Sequence, residues 1–362
     1  MDITELPALI AALPAERRAR FERIFDVDLA QGECRIPASM RGWTLARFGS
    51  LADVERQQIV RVTNRVTWEG AIFNPLRTRR PMLSRPAAPP PDGDDVFADP
   101  LRCTAEDVFG RISGAHCITT GNIARWDSQC SVLIFNEPDP LAFTREHLRD
   151  YFSTSLRWAA AAHEADPQAV HLVWMWNGGT AGGASIPHAH AQLGLGRRAP
   201  YAMVEGLRRA AQQYHAETGA DYFGDLCAVH DDAGLGFRAA GLRGFVNLSA
   251  ARPRDTWIIA PAFDEQLADA LHDVLRALIE RAGVRGFDAG IIMAPLFTNQ
   301  TSGSTEKPGV SGNVSWAGFP VIARIVDRGR PDALSSDVGA MDIFAQRVIA
   351  DDPYHTRAAL GL

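Results

Sequence analysis

Short apolar runs alternate with longer amphipathic stretches along most of the chain, a pattern typical of strands alternating with helices. In the first half, Thr144 is placed to cap a helix that runs to about residue 166, because apolar side chains recur there at a helical period. Strands are predicted around this helix at 131–135, 170–176 and 188–195.

The second half repeats this order. A strand at 256–261 is followed by a helix that Asp264 caps, and Gly283 is a suitable residue to end that helix. Further strands are predicted at 288–293 and 319–326. Self-similarity over this length indicates the duplication of one unit.

The pattern predicts an α+β fold with three segments. Residues 1–64 are expected to be an N-terminal helical extension, since 1–30 are helix-like. Residues 65–200 and 201–362 are expected to be the two copies of the duplicated unit, each an antiparallel sheet with helices. The proline-rich run 85–95 is expected to be a loop, either a lid or a plain surface excursion.

Composition narrows the function classes. The 362 residues include 37 Lys plus Arg and 43 Asp plus Glu, a net charge of −6, which gives no electrostatic footprint for nucleic acid or an anionic membrane. The start of the chain has no signal-peptide pattern, and no apolar run is long enough to span a membrane, so a cytoplasmic protein is expected. The cysteines never form Cys-x-x-Cys, which argues against a disulfide framework and a zinc ribbon; they are Cys34, Cys103, Cys117, Cys130 and Cys227.

The strongest chemical signal is the run Asn177–Gln192, which reads Asn-Gly-Gly-Thr-Ala-Gly-Gly-Ala-Ser-Ile-Pro-His-Ala-His-Ala-Gln. On a strand, His188, His190 and Gln192 share one face. The glycine-rich loop before them offers backbone amides to an anion, but it lacks the Gly-Lys-Ser/Thr ending of an NTPase loop. The run therefore indicates histidine chemistry on a phosphate. A bare His-x-His pair would instead fit a structural metal site or satisfied core histidines.

This run resembles the active-site motif of the histidine-triad superfamily, specifically its transferase branch. That branch includes galactose-1-phosphate uridylyltransferases and diadenosine tetraphosphate phosphorylases, and its motif is His-x-His-x-Gln. Three further segments are similar to the family, and the resemblance extends over about residues 65–345; the segments are Trp68–Pro81, Cys130–Phe135 and Ser336–Phe344.

The resemblance implies a role for each motif residue. His190 would attack the α-phosphorus of a nucleoside diphosphate compound and form a covalent nucleotidyl-histidine. His188 would orient His190 through its backbone carbonyl, and Gln192 would hydrogen-bond a phosphoryl oxygen. Ser185 would do the same, and Asn177 would hold the loop or the phosphate.

The resemblance also implies that Arg77 and Arg80 pair with phosphate charge. Some uridylyltransferases carry a zinc bound by a Cys-x-x-Cys pair and by a histidine after the first strand. This chain has no such pair, and the segment after the strand, Asn136–Pro140, has no histidine. Neither a metal nor another cofactor is therefore expected.

The second copy lacks the motif. Because the two halves end alike, Pro331 can be aligned with Pro200, which places Phe319, Val321 and Ala323 where the first copy has its two histidines and its glutamine. The second copy is thus degenerate, and one active centre per chain is expected. The loop 298–304 is either an acceptor-side loop or a plain surface loop.

Three functions remain open. The preferred one transfers a nucleoside monophosphate between a nucleoside diphosphate sugar and a sugar 1-phosphate. The second is a phosphorylase that cleaves a dinucleoside polyphosphate or a nucleoside diphosphate sugar with inorganic phosphate, and the third is a non-catalytic nucleotide-binding protein. The expected partners are these small molecules, and the resemblance suggests a homodimer.

Overall fold

The structure is a computed structural model that describes residues 1–79, 95–297, 315–330, 332 and 340–362. Some sequence-based expectations lie wholly or mostly outside these residues. They concern Arg80, the proline-rich loop before Asp95, the loop 298–304, Pro331 and the first half of Ser336–Phe344.

Helices and strands alternate through most of the described chain. Its α-helices are α1 Leu6–Ala12, α2 Ala15–Ile24, α3 Ala38–Phe48, α4 Leu51–Glu55, α5 Pro100–Cys103, α6 Arg145–Ala165, α7 Ala202–Thr218, α8 Tyr222–Asp232, α9 Glu265–Glu280 and α10 Pro353–Leu360. Its strands are β1 Phe25–Glu33, β2 Arg56–Asn64, β3 Gly70–Phe73, β4 Cys117–Gly121, β5 Gln129–Phe135, β6 Ala169–Gly178, β7 His190–Arg197, β8 Gly236–Ala239, β9 Leu242–Val246, β10 Thr256–Ala260, β11 Phe287–Ile292, β12 Val321–Asp327 and β13 Gln346–Ile349.

The two long helices expected from the sequence are both present. The Thr144 hydroxyl accepts a hydrogen bond from the backbone N–H of His147 at the start of α6. The Asp264 carboxylate accepts one from Leu267 at the start of α9. Each cap satisfies a backbone donor that the first helical turn leaves without a partner. The two helices pack side by side on one face of a large sheet.

The strands form two sheets. The larger has the order β4-β5-β7-β6-β11-β12-β10-β9-β8 and is antiparallel throughout. The smaller has the order β1-β2-β3-β13, with β13 parallel to β3. Together with the helices this is the α+β architecture expected from the sequence.

The strand order of the larger sheet displays the duplication. Reading outward from its centre, β6-β7-β5-β4 on one side mirrors β11-β12-β10-β9 on the other. In each copy a long helix connects the second and third strands in chain order. The central β6–β11 pair joins the two copies into one continuous sheet. The expected tandem duplication is therefore confirmed.

The register of the sheet defines a face opposite the long helices, which we call the open face. Phe152 of α6 packs against Trp174, so the neighbouring residue on β6, Met175, points to the open face. Met175 pairs with Gln192 on one side and with Gly290 on the other, and residues that pair directly share a face.

This register corrects the alignment of the second copy. Gly290 pairs with Arg324, so Arg324 and Ile322 lie on the open face, whereas Val321 and Ala323 point to the buried helix side. The sequence alignment was wrong by one residue, because its proline anchor lies beyond the strand and a one-residue shift reverses every side chain. The second copy still has no imidazole at the corrected positions.

The N-terminal segment is only partly helical. The sequence predicted a helix over 1–30, but α2 ends at Ile24 and β1 begins at Phe25. The alternating Phe-Asp-Val-Asp-Leu sequence suits a strand, and β1 pairs with β2 over its whole length. The first 64 residues thus add two strands to the smaller sheet.

Within the described ranges, no helix combines the length and the apolar character needed to cross a membrane.

Candidate active site

His190 is the first residue of β7, and its ring is held in one orientation. Its Nδ1 lies 2.7 Å from the backbone carbonyl oxygen of His188. Because a carbonyl only accepts, Nδ1 carries the hydrogen and donates it. In the neutral ring this leaves the lone pair on Nε2. The side chain is 6% exposed.

The surroundings of His190 favour its neutral form. Burial is the main cause that lowers the pKa of His190 below its ordinary value, and the proximity of His188 lowers it further. The hydrogen bond to the carbonyl of His188 opposes this shift. A neutral imidazole with a free Nε2 lone pair is the nucleophilic form of histidine.

His188 lies between two acceptors. Its Nε2 is 2.7 Å from the carbonyl oxygen of Phe135, and its Nδ1 is 2.7 Å from Oδ2 of Asp95. Both distances are within the range of a hydrogen bond. Partial burial would raise the pKa of Asp95, but the hydrogen bonds from His188 and from the backbone of Phe97 hold it below its usual value.

The end of β5 fixes the backbone before His190. The N–H of Ala189 donates to the carbonyl of Pro138 at 2.9 Å, and the N–H of Phe135 donates to the carbonyl of Ala189 at 3.1 Å. These bonds explain why β7 begins at His190 and not, as the sequence predicted, at His188. Phe97 covers both imidazoles edge-on, 5.1 Å from the ring of His190.

Three neutral polar side chains accompany His190. Gln192 lies on the open face, two residues after His190 on β7. Asn177 follows Trp176, whose partner on β7 is Ala191, the residue directly after His190. Ser185 is exposed in the loop between these strands. None of the three side chains makes a hydrogen bond to another described residue, so all three amide or hydroxyl groups remain available to a ligand.

A cleft of about 620 Å³ lies over the open face. Asn177 and Met175 of the first copy line it together with Asp288 of the second copy. Trp126 and Tyr201 form an aromatic wall on one side, and four arginines line the cleft as well: Arg252, Arg324, Arg328 and Arg347. The cleft therefore offers both an apolar surface and positive charge on the face of the sheet that also carries Gln192.

The structure adds two residues that the sequence did not indicate, and it places Arg77 outside the larger sheet. Arg77 lies in a 3₁₀ helix, Pro75–Arg79, which follows β3 of the smaller sheet. Asp95 and Phe97 contact the two histidines from a segment about 90 residues earlier in the chain. Such a separation leaves no local signal in the sequence.

Within the part of the chain that the structure describes, no group of three or more His, Cys, Asp or Glu side chains is arranged to hold a metal ion.

The pKa of His190 gives a first testable prediction. Because burial disfavours the charged ring, we expect an NMR titration of the His190 ring to show a midpoint below 6.5, the ordinary value. The ring is then neutral above that midpoint and gains its proton as the pH falls through it. The His190→Ala spectrum assigns the signal. A midpoint at or above 6.5 would contradict the described environment.

A second prediction concerns Asp95. Because the hydrogen bond with His188 helps to hold the pKa of the Asp95 carboxyl below its ordinary value, we expect an NMR titration of this carboxyl to show a midpoint below about 3.9. His188→Ala removes the hydrogen bond, so the midpoint should rise in that variant. The Asp95→Asn spectrum assigns the signal. An unchanged midpoint in His188→Ala would show that His188 does not stabilise the Asp95 carboxylate.

Comparisons with known proteins show the fold. An ADP-glucose phosphorylase from Arabidopsis thaliana, solved with bound ADP-glucose, aligns with a TM-score of 0.59 and 18% identity over 82% of this chain and 95% of its own. A uridylyltransferase aligns with a TM-score of 0.56 and 16% identity over 83% and 97%. A GalT-like protein from Arabidopsis thaliana aligns with a TM-score of 0.57 and 17% identity over 82% and 96%.

No protein-family model matches the sequence, and no curated protein matches it. The structural matches cover nearly the whole length of each known protein, so the likeness includes both copies of the duplicated unit. The chain thus has the fold of the ADP-glucose phosphorylase and the uridylyltransferase, which is the fold that its histidine-triad resemblance implied.

Proposed function

We propose that this chain is a nucleotidyltransferase that moves a nucleoside monophosphate between two phosphate-bearing partners through a covalent nucleotidyl-His190. The observation that carries the proposal is the hydrogen bond from Nδ1 of His190 to the carbonyl of His188. It directs the Nε2 lone pair away from the backbone in a ring that burial keeps neutral.

The reaction proceeds in two displacements. Nε2 of His190 bonds to the α-phosphorus, and the bond to the bridging oxygen breaks, so that a phosphate leaves with the electron pair. An oxygen of the acceptor phosphate then attacks the same phosphorus, and the electron pair of the P–N bond returns to Nε2. The hydrogen on Nδ1 stays in its bond to His188 throughout.

The neighbouring side chains suit this chemistry. Gln192 donates an N–H to a phosphoryl oxygen but cannot supply a proton, which is sufficient when the leaving group is already a phosphate. Asn177 at the end of β6 and Ser185 in the glycine-rich loop add further donors. We propose that Arg77 and Arg80 pair with phosphate charge when substrate is bound.

The proposed donor is a nucleoside diphosphate sugar, and two acceptors fit the same site. A sugar 1-phosphate would make the enzyme a transferase, and inorganic phosphate would make it a phosphorylase. The proteins of shared fold include one named for each activity, the uridylyltransferase and the ADP-glucose phosphorylase. A dinucleoside polyphosphate is the alternative donor.

An isotope-exchange experiment tests the proposal. The enzyme is mixed with UDP-glucose or ADP-glucose and with radiolabelled glucose 1-phosphate, without a third substrate. A nucleotidyl-enzyme returns the label to the sugar nucleotide, because the first displacement is reversible. Adding inorganic phosphate or galactose 1-phosphate in parallel reactions then identifies the acceptor from the product.

Exchange that disappears in His190→Ala is the expected result. Formation of a nucleoside diphosphate with inorganic phosphate would identify a phosphorylase, and formation of a new sugar nucleotide would identify a transferase. In a parallel mixture, exchange of radiolabelled ATP into diadenosine tetraphosphate, with no exchange into either sugar nucleotide, would identify the alternative donor. Tight nucleotide binding without exchange from any donor would refute the covalent mechanism and indicate a binding protein.

A further inference from the structure

A row of residues crosses the boundary between the two copies on the open face. The last pair of the β6–β7 register is Trp176 with Ala191, so the next residues on the two strands are Asn177 and His190. Asn177 in turn pairs with Asp288 of β11. Neighbouring strands lie about 4.8 Å apart, so the backbones at His190 and Asp288 are about 10 Å apart. The second copy therefore begins within the reach of a substrate bound at His190.

Arg328 brings a positive charge to this row. It directly follows β12, and its backbone N–H donates to the carbonyl of Gly286 at 2.9 Å. Its guanidinium forms an ion pair with the Asp288 carboxylate, and both side chains line the cleft with Asn177. The arginine is 21% exposed and the aspartate 30%, so the pair is half-buried but accessible from the cleft.

The glycine-rich loop rests on the same part of β11. A Cβ at Gly182 would lie 2.6 Å from the carbonyl oxygen of Phe287 and 3.1 Å from Oδ1 of Asp288. A Cβ at Gly286 would lie 2.5 Å from that of Ala181. Only glycine permits so close an approach at these two positions. The loop that follows Asn177 and carries Ser185 is thus fitted to the residues that contact Arg328.

The other three arginines that line the cleft pair with carboxylates outside this row. Arg324 is held by Asp255 and Glu69. Arg252 and Arg347 share Asp342. Among these four cleft arginines, Arg328 is the one paired with a carboxylate in the row of His190.

We propose that Arg328 binds the phosphate that leaves in the first displacement and attacks in the second, which is a phosphate monoester or inorganic phosphate. The inference rests on the proposed nucleotidyl transfer. When the bond between the α-phosphorus and the bridging oxygen breaks, the departing phosphate gains a negative charge. A guanidinium binds a phosphate through paired N–H donors. Asp288 holds Arg328 in place when no phosphate is bound.

The proposal gives the second copy a chemical role despite its lack of an imidazole. The first copy holds the transferred nucleotidyl group, and the second copy holds the phosphate on its other side. Removal of the Arg328 side chain should therefore weaken the binding of the phosphate partner and leave the binding of the nucleotide unchanged. If Arg328 only stabilised the fold of the site, its removal would weaken the binding of both ligands.

The experiment compares Arg328→Ala and Arg328→Lys with the wild type. Arg330→Ala is the matched control, because Arg330 lies two residues away, is 69% exposed and also pairs with a carboxylate, that of Asp332. Calorimetry measures the binding of glucose 1-phosphate, inorganic phosphate and a nucleoside monophosphate. In a second measurement, the rate at which the nucleotidyl-enzyme transfers its nucleotidyl group is followed as a function of the concentration of each phosphate acceptor.

We expect Arg328→Ala to raise the dissociation constant and the half-saturating concentration of the phosphate partner by about 10- to 100-fold, as for a lost charge-assisted hydrogen bond. Arg328→Lys should recover part of this loss, and Arg330→Ala should resemble the wild type. The affinity for nucleoside monophosphate should stay unchanged in all variants.

The inference would be overturned if wild type and Arg328→Ala bound the phosphate partner equally well. It would also be overturned if Arg328→Ala weakened the binding of the nucleoside monophosphate as much as that of the phosphate partner. Wild-type enzyme that binds none of the phosphate partners would overturn it too. A wild type that binds them but forms no nucleotidyl-enzyme would refute the proposed function alone, because the binding measurements do not depend on covalent chemistry.

Discussion

His190→Ala is expected to lower kcat/KM for nucleotidyl transfer by about four orders of magnitude or more, because the variant has no atom that can form the P–N bond. The small side chain leaves the other polar groups of the cleft in place. Binding of a nucleoside monophosphate should therefore change little, and the loss should appear in kcat. Steady-state kinetics with the active sugar nucleotide, together with calorimetry, separates the two effects.

His171→Ala is a matched control for this variant. His171 is similarly buried and lies on β6 opposite Gly196, six residues farther along β7 than His190. It should retain most of the wild-type activity. If His190→Ala keeps more than about a hundredth of the activity while its fold and nucleotide binding are intact, another group is the nucleophile.

Arg324→Ala is expected to lower the free energy of unfolding by about 3–5 kcal/mol, the usual loss when one partner of a buried ion pair is removed. Burial alone would lower the pKa of Arg324, but Asp255 and Glu69 raise it above its ordinary value. Two hydrogen bonds of 2.7 and 3.1 Å join the guanidinium to Asp255, which is 1% exposed. The variant leaves that carboxylate buried without its cation.

Urea denaturation measures this loss, with Arg330→Ala as the control for an exposed arginine. Exposed pairs contribute less than about 1 kcal/mol, so the control should unfold near the wild type. The double variant Asp255→Asn with Arg324→Met removes both charges and should recover part of the stability. A loss below about 1 kcal/mol in Arg324→Ala would show that water or another residue compensates Asp255.

Local sequence signals predicted the part of the fold that carries the motif. The two long helices have capping residues and a strong helical period, and the strands that flank them are apolar and short. The same regularity revealed the duplication, which the mirrored strand order confirms. The hydrogen bond between His190 and the carbonyl of His188 also agrees with the resemblance.

Long-range features had no such signal. Asp95 reaches His188 from 93 residues away, and Arg328 meets Asp288 across 40 residues. The face of the second copy was misassigned because β12 is apolar on both sides except for Arg324 and the terminal Asp327, so its pattern does not show which side packs on α9. β1 was missed because most of its side chains are exposed.

The covalent intermediate is the central claim, and peptide mapping tests it most directly. The enzyme is quenched within one turnover of the active donor, digested at neutral pH and analysed by mass spectrometry. The account predicts an acid-labile increment of one nucleoside monophosphate on the peptide that carries His190, with fragment ions that assign it to that residue. An increment on another residue, or turnover without any increment, would contradict it.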